Sequence, residues 1–228
     1  MNEIKYLGDI LDYHLYHVES IGSTNTFLKE NYQKYPDKTI LWASIQTNGR
    51  GRYDRRWQSS DDYIFSILLK DNYNNEIIAP LAVLRALKSF DIDTKIKWPN
   101  DIYYNNKKLC GILIESIYSS KFIASIIGIG INKKDKLDVD GIGINKDIDH
   151  KELISKIIKE YNNLINDKFE NYIKEYNDNN LVINKEIIYQ NDTYLVTGIT
   201  NKGHLIIKKD DIQKEISSDE INIKEAFK

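Results

Sequence analysis

Residues 122–131 read Phe-Ile-Ala-Ser-Ile-Ile-Gly-Ile-Gly-Ile, a nearly unbroken apolar stretch rich in isoleucine. Such a run reads as a strand, and a strand without polar alternation is buried on both faces. The chain must therefore place covering layers on both sides of a sheet. It has the material to do so: 41% of its 228 residues are hydrophobic and 29% charged, ordinary usage that excludes disordered and collagen-like chains. No stretch approaches the roughly 18 apolar residues of a membrane span. The charged residues 1–12 lack the apolar segment of a signal peptide. With 32 Lys and Arg against 34 Asp and Glu, the net charge is −2, so an anion site must be a local cluster rather than a chain-wide basic surface. Cys110 is the single cysteine, which excludes an internal disulfide and a thiolate zinc framework. A soluble, cytoplasmic protein is expected.

The rest of the chain divides by period and punctuation. Residues 15–18 and 40–46 read as strands, and Ser23-Thr24-Asn25-Thr26 offers caps for a helix that runs through Phe27 and Leu28. Residues 47–62 form a polar loop, 63–70 a strand, and 80–90 a helix with Leu81, Leu84 and Leu87 on one side. Strands follow from Ile96, with a hairpin at 101–118 turning through Asn105-Asn106-Lys107. A single long amphipathic helix is expected over 150–176, with Leu153, Ile157, Tyr161, Leu164 and Ile165 in its apolar stripe. Asp178-Asn179-Asn180 ends it. Residues 181–228 have the short strands and turns of a small β-barrel, so the expected domains are 1–180 and 181–228.

Four clusters could carry chemistry. In Gly49-Arg50-Gly51-Arg52-Tyr53-Asp54-Arg55-Arg56-Trp57, alternating glycine and arginine lets backbone approach an anion while guanidinium forks reach it. Trp57 could stack on a flat ring. A solvated basic loop or a nucleic-acid contact would also account for this stretch. Lys97-Trp98-Pro99-Asn100-Asp101 delivers an amide and a carboxylate at a strand end, or else caps a turn around a core tryptophan. Lys108-Leu109-Cys110-Gly111 starts an apolar strand with a lysine that could meet a phosphate or carboxylate. Gly128-Ile129-Gly130-Ile131-Asn132 is no dinucleotide fingerprint, since no third glycine opens a helix, but it could let a planar ligand lie on backbone. The same five residues recur at 141–145, in a loop where the copy reads as accidental. His14 and His17 point to opposite faces of a strand and make a poor metal pair.

In this order, Ser23-Thr24-Asn25, Gln46, Gly49-Arg50-Gly51-Arg52, Arg55, Trp57, 97–101, Lys108-x-x-Gly111 and 128–132 resemble the biotin–protein ligase family. Too few residues precede Ser23 for the winged-helix DNA-binding domain of some members, so the short type is expected, without DNA as a partner. The resemblance implies an α+β fold: a mixed sheet flanked by helices, like the catalytic core of class II aminoacyl-tRNA synthetases, with an SH3-like C-terminal barrel. It implies that biotin and Mg-ATP give biotinyl-5′-adenylate, which then acylates a lysine of a biotin carboxyl carrier domain. Lys108, Arg50 and Asp101 would then be catalytic. Biotin would lie among Ser23, Thr24, Asn25, Gln46, Gly49, Arg50, Arg52, Lys108 and Gly111. The nucleotide would meet Arg50, Arg52, Arg55, Trp57, Asn100, Lys108 and Asn132. Mg²⁺ would come with ATP, and the protein would be a monomer or homodimer. Lys224 is the best match to an arginine that reaches the triphosphate in some relatives. A lipoate–protein ligase, or a non-catalytic ligand- or nucleic-acid-binding module, is the alternative.

Overall fold

The structure, a computed structural model, describes residues 3–57, 61–136 and 141–217, so Lys224 lies outside the described residues. Strands β1 (Lys5–Ile10) and β2 (Tyr13–Ile21) form an antiparallel hairpin, and helix α1 (Thr24–Asn31) crosses over so that β3 (Thr39–Gln46) runs parallel to β2. There follow β4 (Tyr63–Leu69), α2 (Asn75–Lys88), β5 (Lys95–Lys97), β6 (Asp101–Tyr104), β7 (Lys107–Tyr118) and β8 (Phe122–Ile131). These strands make one eight-stranded sheet in the order β1-β2-β3-β4-β8-β7-β6-β5, antiparallel except for β2 against β3. Helices α3 (His150–Ile165) and α4 (Phe169–Asp178) come next, then β9 (Glu186–Tyr189), β10 (Asp192–Ile199), β11 (Leu205–Lys209) and β12 (Ile212–Ile216) in a second, antiparallel sheet. A mixed sheet with helices on both faces and a small C-terminal β-sheet is the expected class.

Strand β8 sits mid-sheet, paired with β4 and β7, and is buried on both faces. Ile127, Ile129 and Ile131 enter the large core beneath α2 and α3, while Ala124 and Ile126 join Val18, Leu28, Leu41, Ala43 and Leu68 beneath α1. On the α1 face, the two remaining inward positions of β8 are Gly128 and Gly130.

Three expectations are corrected. The helix expected over 150–176 is two helices: Asn166 and Asp167 turn their side chains onto local backbone and amide groups, with Asp167 accepting from Lys168 N and Asn171 Nδ2, and so compete with helix continuation. Helix α2 starts at Asn75, before Pro80; buried Asn75 accepts a hydrogen bond from Tyr161, and burial of Ile77, Ile78 and Ala79 outweighs the one backbone donor that proline lacks. Strand β1, not expected, is a charged strand at the sheet edge paired with β2, and it carries little apolar periodicity to reveal it.

The second sheet is joined to the first through backbone and side chain. Ile96 N donates to Asn179 O and Leu181 N to Ile96 O, and the indole of buried Trp98 donates to Gly203 O at 2.7 Å. Trp98 is thus a core anchor, as the turn-capping reading of its cluster expected. Among the described residues, no helix is long and apolar enough to cross a membrane.

Candidate functional site

Register explains why residues far apart in sequence meet. Ile21 pairs with Gln46, so the chain leaving β2 into α1 emerges beside the end of β3. Tyr63 pairs with Ile131, and Ile131 with Cys110, so the starts of β4 and β7 lie beside the end of β8. The candidate clusters therefore gather at one end of the sheet, with Trp98 turned into the core beneath α2 and α3.

The floor there is backbone. Gly111 pairs with Gly130, and Leu113 with Gly128, across β7 and β8. Trp57 lies on this floor: a Cβ at Gly111 would come within 2.8 Å of its ring, and one at Gly130 within 2.7 Å. A Cβ at Gly128 would meet Asn25 Oδ1 at 2.3 Å. Only side-chain-free strands admit the indole and the carboxamide this close. The expected loop at 47–62 brings Trp57 in as the return arm of a small hairpin. Trp57 N donates to Gly49 O and Gly51 N to Arg55 O, with Arg50 bridged to Arg56 and a helical turn at Arg52–Asp54. The tip is tight, with Tyr53 in the left-handed region at φ 56° and the Arg52 guanidinium 5.0 Å from the Tyr53 ring centre.

Between floor and hairpin is a small cavity open to solvent, lined by Thr24, Asn25, Gln46, Arg50, Trp57, Ile64, Phe65, Leu113, Gly128, Ile129 and Gly130. One side is apolar. The other is a hydrogen-bonded wall: Thr24 N donates to Gln46 Oε1 at 2.7 Å, Thr24 Oγ1 lies 2.7 Å from Ser66 Oγ, and Ser66 Oγ donates to Asn25 Oδ1 at 2.6 Å. Ser23 caps α1 instead, accepting from Thr26 N at 3.3 Å.

Beside the cavity, the Lys108 ammonium is 2.7 Å from Asp101 Oδ1 and 5.6 Å from the Trp57 ring centre. A β-bulge places it there. Ile102 pairs with Cys110 but Tyr103 with Lys108, leaving Leu109 as the extra residue, buried in the core. The bulge re-aims Lys108 onto the α1 face, over Gly111. The Lys108 ammonium thus adjoins an indole seated flat on a glycine floor. This arrangement suits a ligand that carries both a planar group and an anionic one.

The remaining candidates form the frame. Asn100 Nδ2 donates to Ile112 O at 2.6 Å, and buried Asn132 donates to Lys108 O at 3.2 Å and Ile142 O at 3.1 Å, so both amides tie strand ends together. Arg55 is exposed on the hairpin, outside the cavity lining. The second Gly-Ile-Gly-Ile-Asn copy, read as accidental, is built into this frame: Ile142 N donates to Lys108 O and Ile144 N to Asn132 O. Cys110 is fully buried, and burial pushes its thiol far above the usual range, in keeping with a small hydrophobe. Sequence reasoning missed Ser66 and Glu115 as parts of the wall. Glu115 shares the alternation of Gly111 and Leu113 on β7, which was the available signal; Ser66, a lone hydroxyl in an apolar strand, offered none.

With this geometry in hand, comparison with known proteins gives a consistent result. The profile of the Biotin/lipoate A/B protein ligase family matches residues 17–132, half of the chain. Biotin–protein ligase 1, chloroplastic, of Arabidopsis thaliana is 34% identical over 125 residues, covering 49% of this chain and 34% of that protein. The bifunctional ligase/repressor BirA of Escherichia coli (strain K12) is 26% identical over 240 residues, 91% of this chain and 73% of that protein. The matches span only 34% and 38% of the two Arabidopsis relatives. The solved structure of the biotin protein ligase from Aquifex aeolicus in complex with biotin and ATP superposes with a TM-score of 0.76 at 29% identity, covering 90% of this chain and 96% of that one. The matched residues contain the glycine floor, the arginine hairpin, the polar wall and Lys108 together, and on that ground the chain belongs to the biotin/lipoate A/B protein ligase family.

Proposed function

We propose that this chain is an ATP-dependent biotin–protein ligase. In the first step a carboxylate oxygen of biotin attacks the α-phosphorus of ATP. The bond from that phosphorus to the β-bridging oxygen breaks, and pyrophosphate leaves with the electron pair. In the second, a lysine amine of a biotin carboxyl carrier domain attacks the acyl carbon of the adenylate; AMP leaves and the amine loses a proton. The observation that carries the reading is the Lys108–Asp101 pair at 2.7 Å, set over Gly111 and beside Trp57, next to a cavity that has a hydrogen-bonded polar wall.

Two anions must approach in the first step, and a fixed cation at their meeting point lowers the barrier. Lys108 supplies it, held in place by Asp101, with Arg50 at the cavity mouth and Arg52 on the hairpin tip. Asp101 has one oxygen on Lys108; the other is assigned to orient the acceptor lysine in the second step. Biotin's ureido ring is assigned to the Thr24–Gln46 wall with Ser23, Asn25 and Gly49 shaping it, and its tail runs toward Gly111 and Lys108. Trp57 covers the adenylate, and Arg55, Asn100 and Asn132 border the nucleotide. Mg²⁺ is assigned to the phosphates of ATP, since among the described residues no group of three His, Cys, Asp or Glu could hold it. When bound it screens the polyphosphate charge. Residues 1–180 are assigned both steps and 181–228 a supporting module, in a cytoplasmic monomer or homodimer. The test is pyrophosphate release from ATP with biotin or lipoate as the only carboxylate. Release with biotin and not with lipoate is expected; release with lipoate alone assigns the chain to the other branch of the family, and release with neither overturns the reading.

A further inference from the structure

We propose that Glu115 is a positioning residue that sets the direction of the hydrogen bonds in the cavity wall, and thereby which ligand groups that wall accepts. The proposal rests on the biotin reading above only for its choice of ligand. Glu115 lies on β7 beyond Leu113, on the α1 face, with its side chain 13% exposed. No step assigned above uses it.

An ionised carboxylate can only accept hydrogen bonds. Glu115 Oε1 takes the Lys29 ammonium of α1 at 2.8 Å and faces Arg50 Nη1 of the hairpin at 3.9 Å, and Oε2 takes Asn25 Nδ2 at 3.1 Å. Burial alone would raise its pKa; the hydrogen bonds from Lys29 and Asn25 and the charges of Lys29 and Arg50 outweigh that and hold the carboxyl below its ordinary range. Glu115 is therefore ionised at neutral pH.

The consequence propagates inward. Asn25 must turn its NH₂ toward Glu115, and its second proton goes to Leu113 O at 3.3 Å. Its carbonyl oxygen then faces Ser66 and takes the hydroxyl proton at 2.6 Å. With that proton used, Ser66 is an acceptor for Thr24 Oγ1 at 2.7 Å, a closer contact than the 3.0 Å from Thr24 Oγ1 to Gln46 Oε1. Thr24 thus directs its proton into the wall and offers an acceptor to the cavity. Gln46, whose Oε1 already accepts Thr24 N, turns its amide nitrogen the other way. The Thr24 acceptor is the complement of a ureido N–H.

Glu115→Gln separates direction from mere contact. In E115Q, Lys29 and Arg50 retain the amide oxygen, so the new NH₂ faces Asn25; Asn25 must flip and the chain of donors reverses. Biotin binding measured by calorimetry should weaken about tenfold, the scale of one hydrogen bond to a charged group. Adding Asn25→Asp gives the introduced NH₂ an acceptor and returns an acceptor to Ser66. The E115Q/N25D protein should regain at least half of the loss on a logarithmic scale. Affinity of E115Q within about twofold of the parent, or a double variant no tighter than E115Q, would overturn the proposal. In the ligand-free protein, the Asn25 side-chain NH₂ resonances should shift as acid protonates Glu115 and should not do so in E115Q. Resonances indifferent to pH in the parent would also overturn it. If the parent fails to bind biotin while those resonances titrate, the ligand reading falls and the wall's polarity stands.

Discussion

Gly130→Ala probes how Trp57 is held. A methyl group there would sit 2.7–2.9 Å from three atoms of the indole, so ring and methyl must separate by several tenths of an ångström. The strand cannot recede, because β8 is hydrogen-bonded on both sides, with Gly130 paired to Ile64 and Gly111. The indole must lift instead. Overpacking of this kind costs about 1–3 kcal/mol, which corresponds to roughly a 5- to 150-fold loss of the seated hairpin. The cost falls on the hairpin and not on the fold. Replacing glycine by alanine removes chain entropy from the unfolded state and offsets up to about 1 kcal/mol of strain, so Tm should change by only a few degrees. The assay is the dissociation rate of biotinyl-adenylate, which should rise within that roughly 5- to 150-fold range. In a Trp57→Ala background, Gly130→Ala should change the rate no further. Equal effects of Gly130→Ala with and without Trp57, or a parent-like rate, would refute the stacking argument.

Lys108→Ala should slow adenylate formation by roughly 10²–10³, the scale of one lost electrostatic donor, with biotin affinity affected less; near-normal pyrophosphate release would remove Lys108 from the chemistry. Arg52→Gly, at the tip of the hairpin, should still make adenylate but release it, so that an unrelated protein such as albumin becomes biotinylated. Loss of synthesis with retention intact would contradict that role. The imidazole of His150, at the start of α3, stacks on Trp42 at 4.7 Å. Burial first and the Lys133 charge second hold its pKa below the ordinary 6.5. The unfolded chain takes up this proton more readily, so the His150 contribution is complete above pH 6.5 and is lost as pH falls below it. His150→Phe should flatten the fall in denaturation midpoint between about pH 7 and 5, and an unchanged pH profile would contradict it.

What the sequence reveals here follows from how local each signal is. The continuous apolarity of 122–131 demands a two-sided sheet, and that demand does not depend on partners. Thr24 and Gln46 were recognisable as family motifs, yet only the parallel pairing of β2 with β3 explains how they touch. The Lys108 bulge is invisible in sequence because alternation alone would put Leu109 on the ligand face. Asn166 and Asp167 lie within a strong amphipathic pattern, which concealed a break that depends on their side chains bonding to local backbone and amide groups. Ser66 and Glu115 escaped notice because neither bears chemistry alone; each matters through a neighbour supplied by α1.

The central claim is transfer of biotin to protein, and mass spectrometry of a biotin carboxyl carrier domain incubated with this protein, biotin and Mg-ATP tests it most directly. The account predicts a gain of one biotinyl group on a single lysine of the carrier, dependent on ATP and lost in Lys108→Ala. A carrier of unchanged mass in the presence of folded, biotin-binding protein would contradict it.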